Sequence, residues 1–324
     1  MRTVLCRAFG PPESLTVEDL PDPTPGPGTV LVDVACTALN FFDTLIIQNR
    51  YQVRPELPFS PGAEFAGRVA ALGEGVEGFQ IGQRVAGYVG YGACRTKVVA
   101  PAGRLIPVPD GLPDEVAAGL LVTYGTSLHA LQDRARLQPG ETLAVLGAAG
   151  GVGLAAVELG AILGAKVIAC ASSADKLALA RQHGADETFD YSAGDLKEGL
   201  KSLTGGKGVD VVYDPVGGDL SELALRAIAW KGRFLVVGFA AGDIPRIPLN
   251  LMLLKGCDVQ GVFWGAFADK EPARNAANIR QIFAWAAEGR LKAHASTILP
   301  LDQTAQAIRL LADRKATGKV LVRM

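Results

Sequence analysis

The sequence predicts an α/β protein of two domains, a β-rich part followed by a doubly wound parallel sheet. Three observations carry this. The chain has 324 residues, 49% hydrophobic and 20% charged, enough to bury two cores of ordinary globular composition. Its first third consists of short apolar runs cut by proline and glycine, the texture of a β-rich domain. Beyond Pro113, strand-like runs alternate with helical segments, as in βαβ units whose parallel sheet is covered on both faces.

The elements follow in order. Apolar runs at 30–35 and 65–72 are bounded by Pro25-Gly26-Pro27-Gly28 and Gly73-Glu74-Gly75, so each reads as a strand ending in turns. In the second part a strand at 142–146 precedes a helix from Gly151, and a strand at 166–170 precedes a helix over 174–183. A strand at 209–214 leads to a helix over 219–230 and then a strand at 233–237. A helix over 273–288, a strand at 296–300, a helix over 302–313 and a strand at 318–322 finish the chain. This last segment is too small for a core of its own and is expected to return to the first domain. The expected division is 1–118, 119–262 and a return segment 263–324.

Composition excludes several classes of function. A net charge of -1 gives no basic field for nucleic acid or an anionic membrane. The opening Met1-Arg2-Thr3-Val4-Leu5-Cys6 runs into Gly10-Pro11-Pro12, where no signal-peptide core fits. The stretch 143–164 is apolar apart from Glu158 and long enough to span a bilayer. Gly147, Gly150, Gly151 and Gly153 crowd its middle, however, so it reads as strand, turn and helix of a soluble protein. The five cysteines, at 6, 36, 94, 170 and 257, form no CxxC pair, which argues against a disulfide framework and for a reducing cytoplasm.

The strongest local signal is Leu146-Gly147-Ala148-Ala149-Gly150-Gly151-Val152-Gly153, between a buried strand and a helix. That is the context of a dinucleotide-binding turn. Without Cβ atoms, Gly150 and Gly151 let the backbone approach a pyrophosphate at the helix N-terminus, with Val152 in the same turn. Ala148 stands where the fingerprint's first glycine would be, and a ligand-free turn is the plainer alternative.

The next strand points to the cofactor. An NAD site places a carboxylate about 20 residues downstream, for the ribose hydroxyls. Here the strand ends Cys170-Ala171-Ser172-Ser173-Ala174-Asp175-Lys176. Ser172, Ser173 and Lys176 suit a 2′-phosphate, which a carboxylate would repel, so NADPH is expected over NADH. The alternative for Lys176 is a solvated helix residue; Asp175, inside the helix start, reads as a cap.

With both halves in view, the chain resembles the medium-chain dehydrogenase/reductase superfamily, and within it the quinone oxidoreductases related to zeta-crystallin. The resemblance covers essentially the whole chain. It rests on Leu39-Asn40-Phe41-Phe42-Asp43, Tyr51, Pro58-Phe59-Ser60-Pro61-Gly62-Ala63-Glu64, Val122-Thr123-Tyr124-Gly125-Thr126-Ser127, the glycine turn, Gly261-Val262-Phe263-Trp264-Gly265 and Thr317-Gly318-Lys319-Val320. It implies a GroES-like catalytic domain built from both chain ends, a Rossmann cofactor domain, and a homodimer formed through the cofactor domains.

In the zinc alcohol dehydrogenases of this superfamily, zinc ligands occupy the places of Asn40, Ala63 and a position near Leu120. Three N or S donors are needed, and these residues do not supply them. Cys36 and Cys94 lack partners at ligand spacing, and His129, His183 and His294 are far apart, so no metal is expected.

The resemblance also implies roles. Asn40 would donate a hydrogen bond to developing oxyanion charge, with Tyr51 as a second donor or a stacking surface. Thr123 would lie under the nicotinamide and Tyr191 beside the 2′-phosphate. Phe239, Phe263 and Trp264 would flank the nicotinamide, with core or dimer packing as the alternative for the last two, and Lys319 would reach the same region. Glu64 receives no catalytic role and is expected to pair with a cation such as Arg68. The implied activity is hydride transfer from NADPH to a quinone. Reduction of conjugated alkenes (alkenals, enones or acryloyl-CoA) is the alternative, and a nonenzymatic crystallin-like or RNA-binding role is the alternative of another class.

Overall fold

Glycine and proline turns divide the first hundred residues into strands short enough to fold back on one another. The computed structural model describes residues 1–324. The chain begins with β1 (Arg2–Leu5), β2 (Thr16–Asp19), β3 (Thr29–Leu39) and the short α1 (Phe41–Ile46). Then come β4 (Glu64–Leu72), β5 (Arg84–Tyr88), β6 (Lys97–Pro101), β7 (Leu105–Pro107) and α2 (Asp114–Leu128). Strands and helices next alternate: β8 (Thr142–Leu146), α3 (Gly151–Ile162), β9 (Lys166–Ala171), α4 (Ala174–Gln182), β10 (Glu187–Asp190) and α5 (Leu196–Leu203). The alternation continues through β11 (Val209–Asp214), α6 (Asp219–Arg226), β12 (Ile228–Val236), α7 (Asn250–Lys255), β13 (Asp258–Gly261) and α8 (Trp264–Lys270). The chain ends with α9 (Pro272–Ala287), β14 (Ala295–Pro300), α10 (Thr304–Ala312) and β15 (Lys319–Arg323).

Two units result. The first contains Met1–Val122, Ile279–Gly289 and Ala293–Met324; the second contains Thr123–Asn278 and Arg290–Lys292. The divisions fall inside α2 and α9, whereas the sequence placed them at 118/119 and 262/263. A helix offers no glycine or proline signal at the point where its neighbours change.

The first unit is organised by β3, whose eleven residues are long enough to serve two partners on one edge. Thr29 to Asp33 pair with β6, Cys36 to Leu39 pair with β15, and β4 lies along the other edge. Val30, Val32, Phe65, Val85 and Val98 fill one core, and Leu39, Ile46, Phe59, Ile308 and Val320 fill another. The end of the chain thus completes the sheet that its beginning opens.

The second unit is a six-stranded, all-parallel sheet of order β10-β9-β8-β11-β12-β13. The chain leaves β8 toward one edge and then returns to β11 and the other. The carboxyl ends of β8 and β11 therefore form the topological switch point where such sheets bind ligands. The apolar stretch 143–164 divides into β8 and the twelve-residue α3, and no helix is long and apolar enough to cross a membrane.

One expected element is shorter than its sequence pattern. The helix anticipated over 219–230 ends at Arg226, and β12 begins at Ile228. Ile228 and Ala229 are buried while Trp230 is 68% exposed, and Lys231 takes a φ of 62°, a left-handed bend that a helix does not hold. Packing of Ile228 into the sheet outweighs the helical spacing.

Candidate active site

In the second unit, the turn after β8 is shaped by three glycines. Gly147 has a φ of 58°, the left-handed region that favours glycine. A Cβ on Gly153 would stand 2.2 Å from the Gly147 carbonyl oxygen, so only glycine lets α3 start this close to the strand. A Cβ on Gly150 would meet only that oxygen, at 3.4 Å, so Gly150 faces otherwise open space. The Ser127 hydroxyl, on α2, is 3.0 Å from the Val152 carbonyl oxygen and 2.8 Å from the Tyr213 hydroxyl, which fixes the turn from behind. Gly150 is the N-cap and offers no side chain, and the first turn carries no acid. The leading amides of α3 thus meet a cradle that a Cβ would narrow, and this fits a pyrophosphate.

At the tip of β9 stands Ala171, followed by exposed Ser172 and half-buried Ser173. Ser173, not Asp175, caps α4: its hydroxyl accepts the Lys176 amide at 3.5 Å. The Lys176 ammonium reaches the Ser172 hydroxyl at 3.4 Å. Tyr191 lies just beyond β10, half-buried, and its amide donates to the Ala171 carbonyl at 3.1 Å. These groups fit a phosphorylated ribose. Thr123 is buried in α2, and Phe239 lies against Gly217. Phe263 is 55% exposed at the start of α8, whereas Trp264 is 5% exposed. Trp264 packs against Gly125 and donates from Nε1 to Asn275 Oδ1 at 2.9 Å, the core packing that was its alternative role.

In the first unit, the chemistry gathers where β3 ends. Lys319 is only 4% exposed, and its ammonium donates to the Leu39 carbonyl at 3.1 Å, Asn40 Oδ1 at 2.7 Å and Glu64 Oε1 at 2.8 Å. All three donors are used inside this unit, beside Asn40. The cation of Glu64 is therefore Lys319; Arg68 donates to the Gly82 carbonyl instead. Glu64 is fully buried, and its second oxygen accepts the Val122 amide at 2.8 Å.

Asn40 bridges this pair. Its Nδ2 donates to Glu64 Oε1 at 2.9 Å, while the Ala38 carbonyl lies at 3.5 Å, the limit of a hydrogen bond. Asp43 stands beneath, accepting the amides of Asn40 at 2.7 Å and Gly62 at 2.9 Å. Burial pushes its carboxyl up to about 6, against the pull of those amides and of Lys319. Sequence reading missed Asp43, although Asn at an N-cap followed three residues later by an acid resembles half of a capping box. Tyr51 is half-buried and stacks on Phe42 at 5.3 Å; burial, and then Asp43, raise its hydroxyl above the usual tyrosine range.

The places at which zinc ligands were considered hold Ala63 and Leu120, which carry no donor atom, and Asn40, whose oxygen faces an ammonium. No three His, Cys, Asp or Glu side chains gather as a metal site. His129 instead lies 2.9 Å from Asp133, and His183 lies against Glu158. This donor set does not fit zinc.

Comparison with known proteins agrees with this architecture. Residues 26–110 match the alcohol dehydrogenase GroES-like domain, and residues 151–279 match the domain described as zinc-binding dehydrogenase. These two matches define a medium-chain dehydrogenase/reductase fold. The chain is 39% identical over 322 residues to quinone oxidoreductase-like protein 2 of Bos taurus, covering 99% of this chain and 92% of the relative. A quinone oxidoreductase of Escherichia coli solved with NADPH superposes with a TM-score of 0.94 at 28% identity, covering all of both chains. A quinone oxidoreductase of Pseudomonas syringae superposes with a TM-score of 0.92 at 33% identity, covering 100% of this chain and 99% of that one. The chain belongs to the quinone oxidoreductase-like family of the medium-chain dehydrogenase/reductases, and is an oxidoreductase with an NAD(P)-type cofactor site.

Two outcomes follow from the buried charges. Lys319→Met strands the Glu64 carboxylate and should cost about 3–5 kcal/mol of stability, whereas Lys319→Met with Glu64→Gln should recover most of it. Urea unfolding of the three proteins checks this; equal stability of the single and double variants rejects the pair. Asp43 has a folded pKa above its unfolded one, so its contribution is fully present below about pH 4 and is lost as pH rises to about 6. The stability difference between wild type and Asp43→Asn should shift against wild type across that window and stay level above it.

Proposed function

We propose that the protein is a zinc-independent reductase that uses NADPH and delivers a hydride to a quinone. The observation that supports this most is the Lys319 ammonium, held by Asn40 and Glu64, in a site that offers no metal donor set. Without a Lewis acid, the acceptor must be electrophilic in its own right, and quinones are. When bound, the cofactor supplies the reducing equivalent; the protein supplies orientation and a dry surface.

The second unit binds the cofactor, with the amides at Gly151 and Val152 on the pyrophosphate and with Ser172, Ser173, Lys176 and Tyr191 around the 2′-phosphate. Thr123, Phe239 and Phe263 are assigned to the nicotinamide end. The first unit serves the acceptor. Asn40 keeps one N–H on Glu64, and its loosely held second N–H, 3.5 Å from the Ala38 carbonyl, turns to the oxygen that gains charge. Tyr51 lines the same region by stacking or by its hydroxyl.

A homodimer is also proposed. The edge strand β13 has an exposed pattern, and Leu249, Leu253 and Leu254 are solvent-exposed, with Leu253 at 81%. Leu253 and Leu254 lie in α7 and Leu249 is its N-cap, and an exposed apolar set of this kind favours burial against a second copy. Light scattering should give twice the chain mass, falling to one chain in Leu253→Glu; a monomeric wild type rejects the assembly.

The decisive assay is NADPH oxidation by the purified protein with benzoquinone, phenanthrenequinone, an alkenal and acryloyl-CoA in parallel. Preference for a quinone is expected. Preference for a conjugated alkene would keep the site and change the acceptor class. Asn40→Ala should lower kcat by about tenfold or more while leaving the KM for NADPH within about twofold. Unchanged kcat removes Asn40 from the chemistry.

A further inference from the structure

The edge formed by β9 and β10 carries a carboxylate that binding of a 2′-phosphate does not explain. β10 runs parallel to β9 with Asp190 in register with Ala171, the residue at the strand tip. An acid that selects a ribose diol stands at such a tip. Here the acid is one strand over. Asp190 Oδ1 accepts the Ser192 amide at 2.8 Å and the Ser192 hydroxyl at 2.6 Å. That hydroxyl also lies 3.4 Å from the Ser172 carbonyl oxygen, and the Ser172 hydroxyl is 3.4 Å from the Lys176 ammonium. Four polar residues are thereby gathered at one edge, with Tyr191 between Asp190 and Ser192 in sequence.

The Ser192 hydroxyl, and then its amide, hold the Asp190 carboxyl below the usual carboxylate range, so it is an anion at neutral pH. The ion pairs of the molecule include neither Asp190 nor Lys176. An unpaired cation and an unpaired anion thus share the region to which the ribose phosphate is assigned. A phosphate monoester, with charge approaching -2, gains from one and is repelled by the other. A ribose diol has no such penalty, and its hydroxyls are donors for a carboxylate.

We infer that Asp190 is a specificity-determining residue that offsets Lys176, so that the protein binds NADPH and NADH with comparable affinity. This rests on the reading of the β9 tip as the ribose site. Asp175, exposed in the first turn of α4, is a neighbouring acid and provides the control.

Calorimetric titration of NADPH, NADH and adenosine 2′-phosphate into the purified protein tests the inference without turnover. The two dinucleotides should bind wild type within about tenfold of each other. Asp190→Asn, which keeps an acceptor for Ser192, should tighten NADPH and adenosine 2′-phosphate by about three- to tenfold and move NADH by less than about twofold. The gain should shrink in high salt, because neither charge is fully buried. Asp175→Asn should leave the ratio unchanged. Unaltered NADPH affinity in Asp190→Asn, or an equal gain in Asp175→Asn, overturns the inference while leaving the cofactor site intact. Lys176→Ala separates the two levels: it should weaken NADPH and spare NADH. If it binds NADPH as wild type does, the phosphate site itself is misplaced and the inference falls with it.

Discussion

The first unit depends on the burial of one ammonium. Lys319 and Glu64 are both withdrawn from water, and each would destabilise the fold by several kcal/mol if left unpaired. The cost is offset because every partner is present: Leu39, Asn40 and Glu64 for the lysine, Asn40 and Val122 for the glutamate. These residues come from β3, β4, α2, β15 and the turn before α1, so one pair of charges specifies how five segments meet. The register Val320 opposite Leu39 brings Lys319 to the end of β3, beside Asn40, and a slip of one residue would turn the ammonium to the other face. Asp43 extends the constraint by tying the amides of Asn40 and Gly62.

The second unit holds its site by backbone geometry instead of charge. Gly147 bends in the left-handed region, Gly153 allows the helix to begin against the strand, and Ser127 holds the Val152 carbonyl. The helix start is left without a capping side chain or an acid, so its partial positive charge is available to an anion. A site of this type is readable in sequence because the residues that make it are adjacent.

That difference explains what the sequence disclosed. The β-rich beginning, the βαβ alternation and the glycine turn are local patterns, and the strands at 142–146 and 209–214 match β8 and β11. The place of Lys319 was hidden because its partner Glu64 stands 255 residues away and a nearer cation, Arg68, was available on the same strand. Trp264 follows a residue that is exposed, and only the packing against Gly125 reveals it as core. Asp190 is not legible as a ribose-site acid in the sequence, because the motif spacing runs along β9 whereas register with the adjacent strand is a property of the sheet. Trp230 misled for a related reason: helical spacing persists through it although the chain has already turned into β12.

The buried ammonium also bears on which acceptors the proposed chemistry can serve. A catalytic metal keeps an open coordination position and polarises the oxygen that enters it. Lys319 has no such position, since its three protons are placed on protein oxygens at 2.7 to 3.1 Å. In the proposed chemistry its effect on a substrate is indirect: by holding the Asn40 oxygen it fixes which way the amide faces, and it leaves one N–H weakly engaged. A single neutral donor stabilises developing oxyanion charge far less than a metal does, so the acceptor has to carry most of the driving force in its own electronic structure. Quinones and conjugated carbonyls share that property and simple ketones lack it. Under the proposed function, the charge arrangement in the first unit therefore favours electron-poor acceptors.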